Sequence, residues 1–191
     1  LNNGRTYGRV ALGHGMESFE VKRGLIKALG GNAGLAKLAA EQFDNVEVNT
    51  EGVFTGSFTI MTKVEGQFTD EGKLQVDVEQ MKGDDLDSYL SADGGREKAM
   101  EARKRWSSFL DQATGYNAKQ RGDKAKEGAK KIAKSKSAIS MARKFMEVSD
   151  TVTEENREKA ESLIAEIEEK LEEKNATRAF SLSEKLNKLF G

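Results

Sequence analysis

Residues 53–79 read VFTGSFTIMTKVEGQFTDEGKLQVDVE, and the alternation within them decides the first half of the chain. Phe54, Phe58, Ile60, Val64, Phe68, Leu74, Val76 and Val78 recur at strand spacing, with Val46 and Val48 just upstream. Asn49-Thr50-Glu51-Gly52 and Thr69-Asp70-Glu71-Gly72 have the Gly-ended composition of hairpin loops. Three or four antiparallel strands are therefore predicted. Glu47, Thr59, Lys63, Glu65, Gln75, Asp77 and Glu79 fall opposite the apolar set, so one side of the sheet faces water. That wet side is either a solvated surface or a binding platform. The direction of Phe54, Phe58 and Phe68 discriminates: pointing outward they would stack on bases, as in sheet-based RNA readers, and pointing inward they are core. No RNA-reader signature accompanies them, which favours core.

Working upstream, Phe19 and Val21 followed by Gly24 predict a short strand at about Ser18–Lys22. A short helical turn at Leu25–Leu29 comes next. Leu35, Leu38, Ala39 and Phe43 then repeat at helical spacing, with Asn32 as the expected cap. Residues 1–15, LNNGRTYGRVALGHG, are polar and Gly-rich. They read as a flexible tail or a short added strand, or as an extension upstream of a natural start at Met16. The GHG run around His14 lacks the preceding strand and following helix that a phosphate loop requires.

Downstream, Ala99, Ala102, Trp106, Phe109 and Ala113 are spaced 3, 4, 3 and 4, a helical stripe with the single Trp at its centre. A helix from about Gly95 to Ala113 is expected to pack on the dry side of the sheet, and Thr114-Gly115 supplies its stop. Charge is then sorted along the chain. Residues 119–147 hold ten Lys or Arg against three acids, whereas residues 148–174 hold ten acids against four bases. The whole chain carries a formal charge of −1. Segregated charge of this kind suits a polyanion or a protein partner better than chemistry on a small molecule.

The basic tract, KQRGDKAKEGAKKIAKSKSAISMARK at 119–144, has high helix propensity but few large apolar residues before Ile139. Ala138, Ala142 and Phe145, flanked by Ile139 and Met146, form an apolar stripe. Thr151 with Glu154 resembles a capping box. Ala160, Leu163, Ile164, Ile167 and Leu171 make one seam, and after a break at Asn175 the residues Ala179, Leu182, Leu186 and Leu189 make another. Three antiparallel helices follow, the last two resembling a tetratricopeptide-style hairpin. One such hairpin is not a repeat array.

The fold class is thus α+β: a small antiparallel sheet packed by helices, then an all-α helical bundle. The expected divisions are a tail at 1–15, an α+β domain at 16–116, a basic helical connector at 117–137 and the bundle at 138–191. Cysteine and proline are absent, which excludes disulfides and thiolate metal sites and fits a largely helical second half. No apolar run reaches the length of about 18 residues needed to span a bilayer, and no leader pattern is present. A cytoplasmic location is expected.

The stretch RKRWSSFLDQATGYNAKQR at 103–121, with Val21-Lys22-Arg23-Gly24 near the first strand, resembles an uncharacterised archaeal domain family. In that family an aromatic residue, Phe-Leu, an acid and an Ala-Thr-Gly-Tyr-Thr-Ala-Lys-x-Arg run follow a strand-rich domain. Asn117 stands where Thr is more usual. The resemblance covers about residues 16–130 and implies an archaeal source and a fold somewhat like half of a TATA-binding protein. It implies no activity and no catalytic residue, and residues beyond Lys131 lie outside it.

No catalytic residue is expected. His14 is the single His, the 32 acids form no metal-ligand spacing, and Asp84-Asp85-x-Asp87 reads as capping and loop solvation. Neither metal nor cofactor is implied. The expected function is non-enzymatic association with nucleic acid or an RNA-containing assembly through Lys119, Arg121, Lys124, Lys126, Lys130, Lys131, Lys134 and Lys136. Such phosphate contacts position a nucleic acid without specifying its sequence. The competing expectation is that the acidic segment neutralises this tract within the chain. As the alternative function, Leu182, Leu186, Leu189 and Phe190 form an edge for a protein partner or a second copy.

Overall fold

Alternating side chains give a strand one apolar side, and that side must be covered. In the computed structural model, which describes residues 16–191, five strands share this problem. The tail at 1–15, its GHG run and His14 lie outside the described residues. The elements are β1 (Glu17–Glu20), α1 (Leu25–Leu29), α2 (Gly31–Gln42), β2 (Asp44–Val48), β3 (Phe54–Phe58), β4 (Met61–Phe68) and β5 (Lys73–Gln80), followed by α3 (Gly83–Ser91), α4 (Gly95–Thr114), α5 (Ala118–Val148), α6 (Glu154–Glu172) and α7 (Ala176–Phe190). The chain divides into two compact units, with the boundary between Gly122 and Asp123.

In the first unit the sheet is antiparallel throughout, in the order β1-β5-β4-β3-β2. Phe54, Val64, Phe68, Leu74, Val76 and Val78 are buried together with Leu35, Ala39 and Phe43 and with Ala102, Trp106, Phe109 and Ala113 of α4. Phe54 and Phe68 are therefore core and not a stacking platform. Gly66 is what lets Phe54 in, because a Cβ there would lie 2.9 Å from the Phe54 ring. Phe43, Trp106 and Phe109 form an aromatic cluster with centroids 5.2–5.9 Å apart, a geometry that adds about 0.5–1.5 kcal/mol per pair beyond area burial. Trp106 is 1 % exposed, and among the described residues its buried indole N–H has no hydrogen-bond partner. Burying the ring outweighs that unmade bond.

Two local details depart from expectation. Asn32 does not cap α2, whose N-cap is Gly30. Its side chain instead accepts from the Phe68 N–H at 2.6 Å and donates to the Phe68 carbonyl at 3.4 Å, tying α2 to β4. The acidic run at Asp84-Asp85 is not a loop before a helix; it is the first turn of α3, where carboxylates complement the helix dipole.

The second unit builds its core from Ala138, Ile139, Ala142 and Met146 of α5, Ala160, Ile164 and Ile167 of α6, and Ala179, Leu182 and Leu186 of α7. Ala160 and Ala179 are both fully buried. The segment 117–137, expected as a basic helical connector, is helical from Ala118 onward as part of α5. Its only weak helix formers of note, Gly122 and Gly128, cost about 1 kcal/mol each and do not interrupt it. The α6 cap is Thr153, which accepts from the Asn156 N–H, and Thr151 bonds Ser149 instead. Asn175 caps α7 through the Arg178 N–H.

Candidate nucleic-acid interface

An α-helix turns about 100° per residue, so the bases of α5 distribute between its buried and solvent sides according to number. Lys126, Lys130, Lys134 and Lys136 are exposed, and so is Lys144. On the helical wheel Lys126, Lys130 and Lys144 fall within about 40° of one another. Among the described residues no carboxylate pairs with Lys126, Lys130, Lys136 or Lys144. Lys134 lies over the Phe180 ring at 5.5 Å. Lys131 is half-buried and donates to Thr177 Oγ1 at 3.2 Å, while Lys124 pairs with Glu127 one turn on. Lys119 is exposed but belongs to the first unit.

Some acids of the α6 segment are paired with bases of the same segment. Lys159 pairs with Glu155 at 2.5 Å, and Lys170 pairs with Glu173 at 2.9 Å and with Glu169. The hydrogen bond from Lys159 holds the Glu155 carboxyl below its ordinary range, and the one to Glu173 raises the Lys170 ammonium above its own. Arg143 of α5 reaches Glu168 of α6 at 2.7 Å. Arg143 and Lys144 were not among the sequence-expected contacts, although they share the same basic tract.

Arg121 is corrected. It is 6 % exposed, and its guanidinium donates to Asp111 and, at 2.6 Å, to the Tyr116 carbonyl, with the Phe19 ring 6.0 Å away. A carboxylate and a carbonyl thus take donors that a phosphate would need. Leu182 and Leu186 are corrected as well: at 2 % and 0 % exposed they are core of their own unit and form no edge. Leu189 and Phe190 are half-buried, and Phe190 meets Phe145 at 5.1 Å. Phe145 itself sits at the rim, 36 % exposed, not in the buried stripe.

The structure also explains the Ala113–Arg121 run. Thr114 hydroxyl donates to the Leu110 carbonyl at 2.7 Å and accepts from the Tyr116 N–H at 3.2 Å, closing α4. Gly115 turns with φ +74°, and a Cβ there would stand 2.9 Å from Lys22 Cβ. Asn117 and Gln120 cap α5 reciprocally, side chain to backbone N–H in both directions, a capping box whose Asn-x-x-Gln signal was present in the sequence. The Lys22 N–H donates to the Thr114 carbonyl at 2.8 Å. Val21–Gly24 and Ala113–Arg121, some ninety residues apart in the chain, are thus neighbours in space.

The open side of the sheet suits a polyanion poorly. In register across β2–β5 lie Glu47, Thr55, Glu65 and Asp77, beside Lys63 and Glu79. Lys63 pairs with Glu65 at 2.9 Å, which raises its ammonium pKa, with Glu79 and Asp77 adding to the effect. A cleft of about 1060 Å³ at one end of this face is lined by Asp77, Glu79, Asp85, Gln80 and Tyr89. Among the described residues no group of three or more His, Cys, Asp or Glu is placed to hold a metal ion, and no helix is long and apolar enough to cross a membrane.

No curated protein and no solved structure matches the chain. A family match covers residues 16–127, from β1 to the first turns of α5, and leaves Lys130, Lys131, Lys134, Lys136 and Lys144 beyond it. The strand-rich unit, with the turn that clasps its two ends, is therefore the family's part of the molecule, and the chain belongs to the family described as Domain of unknown function (DUF5611).

Proposed function

We propose that this is a non-enzymatic binding protein that associates with nucleic acid, or with an RNA-containing assembly, through the solvent side of α5. One observation carries the reading: Lys126, Lys130, Lys136 and Lys144 are exposed on one helix and pair with no carboxylate among the described residues, where the ion pair that α5 makes with α6 is Arg143 to Glu168. Four ammonium groups on such a face neutralise phosphates and release counterions, which gives affinity without sequence preference. Lys134 extends the patch from above Phe180.

Fluorescence anisotropy with labelled single-stranded RNA and DNA, repeated from 50 to 200 mM salt, tests it. Four phosphate contacts on a single strand predict a log–log slope near about −3, or roughly a fiftyfold loss of affinity over that range. The variant K126E/K130E/K136E/K144E should abolish binding. Affinity indifferent to salt, or retained by that variant, would end the proposal.

A second reading, self-association, is favoured by Met141 at 67 % and Val148 at 69 % exposed on α5, next to Phe145. Light scattering of the isolated chain decides it: a monomer at all concentrations removes it.

A further inference from the structure

We infer that the first unit carries a second, separate site, for a phosphate-type anion, in the cleft where the β1–α1, α1–α2 and β4–β5 turns converge. The cleft has a volume of about 410 Å³, and its charged lining residues are Lys22, Arg23 and Lys27, all exposed. None of the three has an ion-pair partner among the described residues. Two acids of the adjoining segments already have partners. Glu20 pairs with Lys73 at 3.1 Å, and the Glu71 carboxyl is held below its ordinary range by its own backbone N–H, then the Thr69 hydroxyl, with Lys73 contributing.

The remaining walls suit a ligand that approaches the backbone closely. Gly24, Gly31 and Gly72 contribute no side chain, and a methyl built on any of them meets nothing within 4 Å. The site is also held in place, because the Lys22 N–H bond to the Thr114 carbonyl and the tight fit of Gly115 on Lys22 and Leu25 fix the turn that presents the cations. Three unpaired cations around an open backbone floor select for multiple negative charge with many acceptor oxygens, which is the chemistry of a phosphate or pyrophosphate group. The ligand is either a free phosphate compound or a phosphate of a nucleic acid strand.

The test follows the backbone amides of Gly24, Gly31 and Gly72 by ¹⁵N NMR in the full chain. Inorganic pyrophosphate is titrated at constant ionic strength, and a short oligonucleotide without a terminal phosphate is titrated separately. Saturable shifts with pyrophosphate support the site and name a free anion as its ligand. Shifts at these amides with the oligonucleotide alone support it with a strand phosphate. In either case K22Q/R23Q/K27Q should weaken binding at least tenfold, and R23Q alone, the milder variant should the triple one not fold, should weaken it measurably. Shifts that fail to saturate with both probes, or that persist unchanged in R23Q, overturn the site. Because the readout is local to the cleft, it stands or falls independently of binding at α5.

Discussion

Arg121 and Lys130 lie nine residues apart on the same helix, and they meet opposite fates. Arg121 belongs to the first unit, where α4 brings Asp111 up to it and the guanidinium is buried. Lys130 belongs to the second, is exposed, and pairs with no described carboxylate. The same division holds more widely. The first unit pairs Lys63 with Glu65, Lys73 with Glu20 and Arg105 with Glu101, and the second pairs Arg143 with Glu168 and Lys159 with Glu155 but leaves Lys126, Lys130, Lys136 and Lys144 of α5 without a described carboxylate. A basic tract is thus not a uniform surface: whether a given cation is structural or available depends on which carboxylate the tertiary fold delivers to it.

The largest test of the separation is Trp106→Ala. Emptying this fully buried position should cost about 3–5 kcal/mol and speed amide exchange across β4 while leaving α6 protected. Equal loss of protection in α6 would mean that the two units share one stability. Next in size, Asp111→Ala strips a buried guanidinium of its counter-charge and should cost about 1–3 kcal/mol by urea denaturation. Lys130→Ala should stay within about 0.5 kcal/mol. If the two cost the same, the contrast between paired and unpaired cations fails. Arg121→Met should be milder than Asp111→Ala, since the Asp111 side chain is 45 % exposed and rehydrates.

Within the second unit, Thr153→Ala should cost about 1 kcal/mol through the lost cap, and Thr151→Ala almost nothing. The reverse order would restore the capping box expected from the sequence. The smallest effect is on pH. The Glu155 carboxyl lies below its ordinary 4.5 because Lys159 hydrogen-bonds it. Its folded value is therefore lower than its unfolded one, so the stabilisation is complete above the ordinary carboxylate range and is lost as pH falls through the folded value. Side-chain NMR titration should show Glu155 protonating at a lower pH in the native chain than in the Lys159→Ala variant.

Alternation made β4 and β5 legible, as 3-4 spacing did α4, because burial of one side imposes those periods directly. The β3–β4 turn was less so: it runs through Thr59 at φ 49° without a glycine to announce it. Asn32 was misread because a side chain that looks like a cap can equally bond a strand, and only the position of β4 chooses. The eight expected basic contacts were read from composition, which cannot separate Arg121 from Lys126.

What the chain determined by itself is local: strand and helix periods, the single Trp at the centre of a core stripe, and the sorting of charge between α5 and α6. Those follow from side-chain chemistry repeated at fixed intervals. The tertiary structure alone decided which charges are spent and which remain. It seated Arg121 on Asp111, and it set Lys22 against Thr114 so that Lys22, Arg23 and Lys27 share one cleft. Pairing of charges depends on distances between elements remote in sequence, and no periodicity within either element encodes those distances.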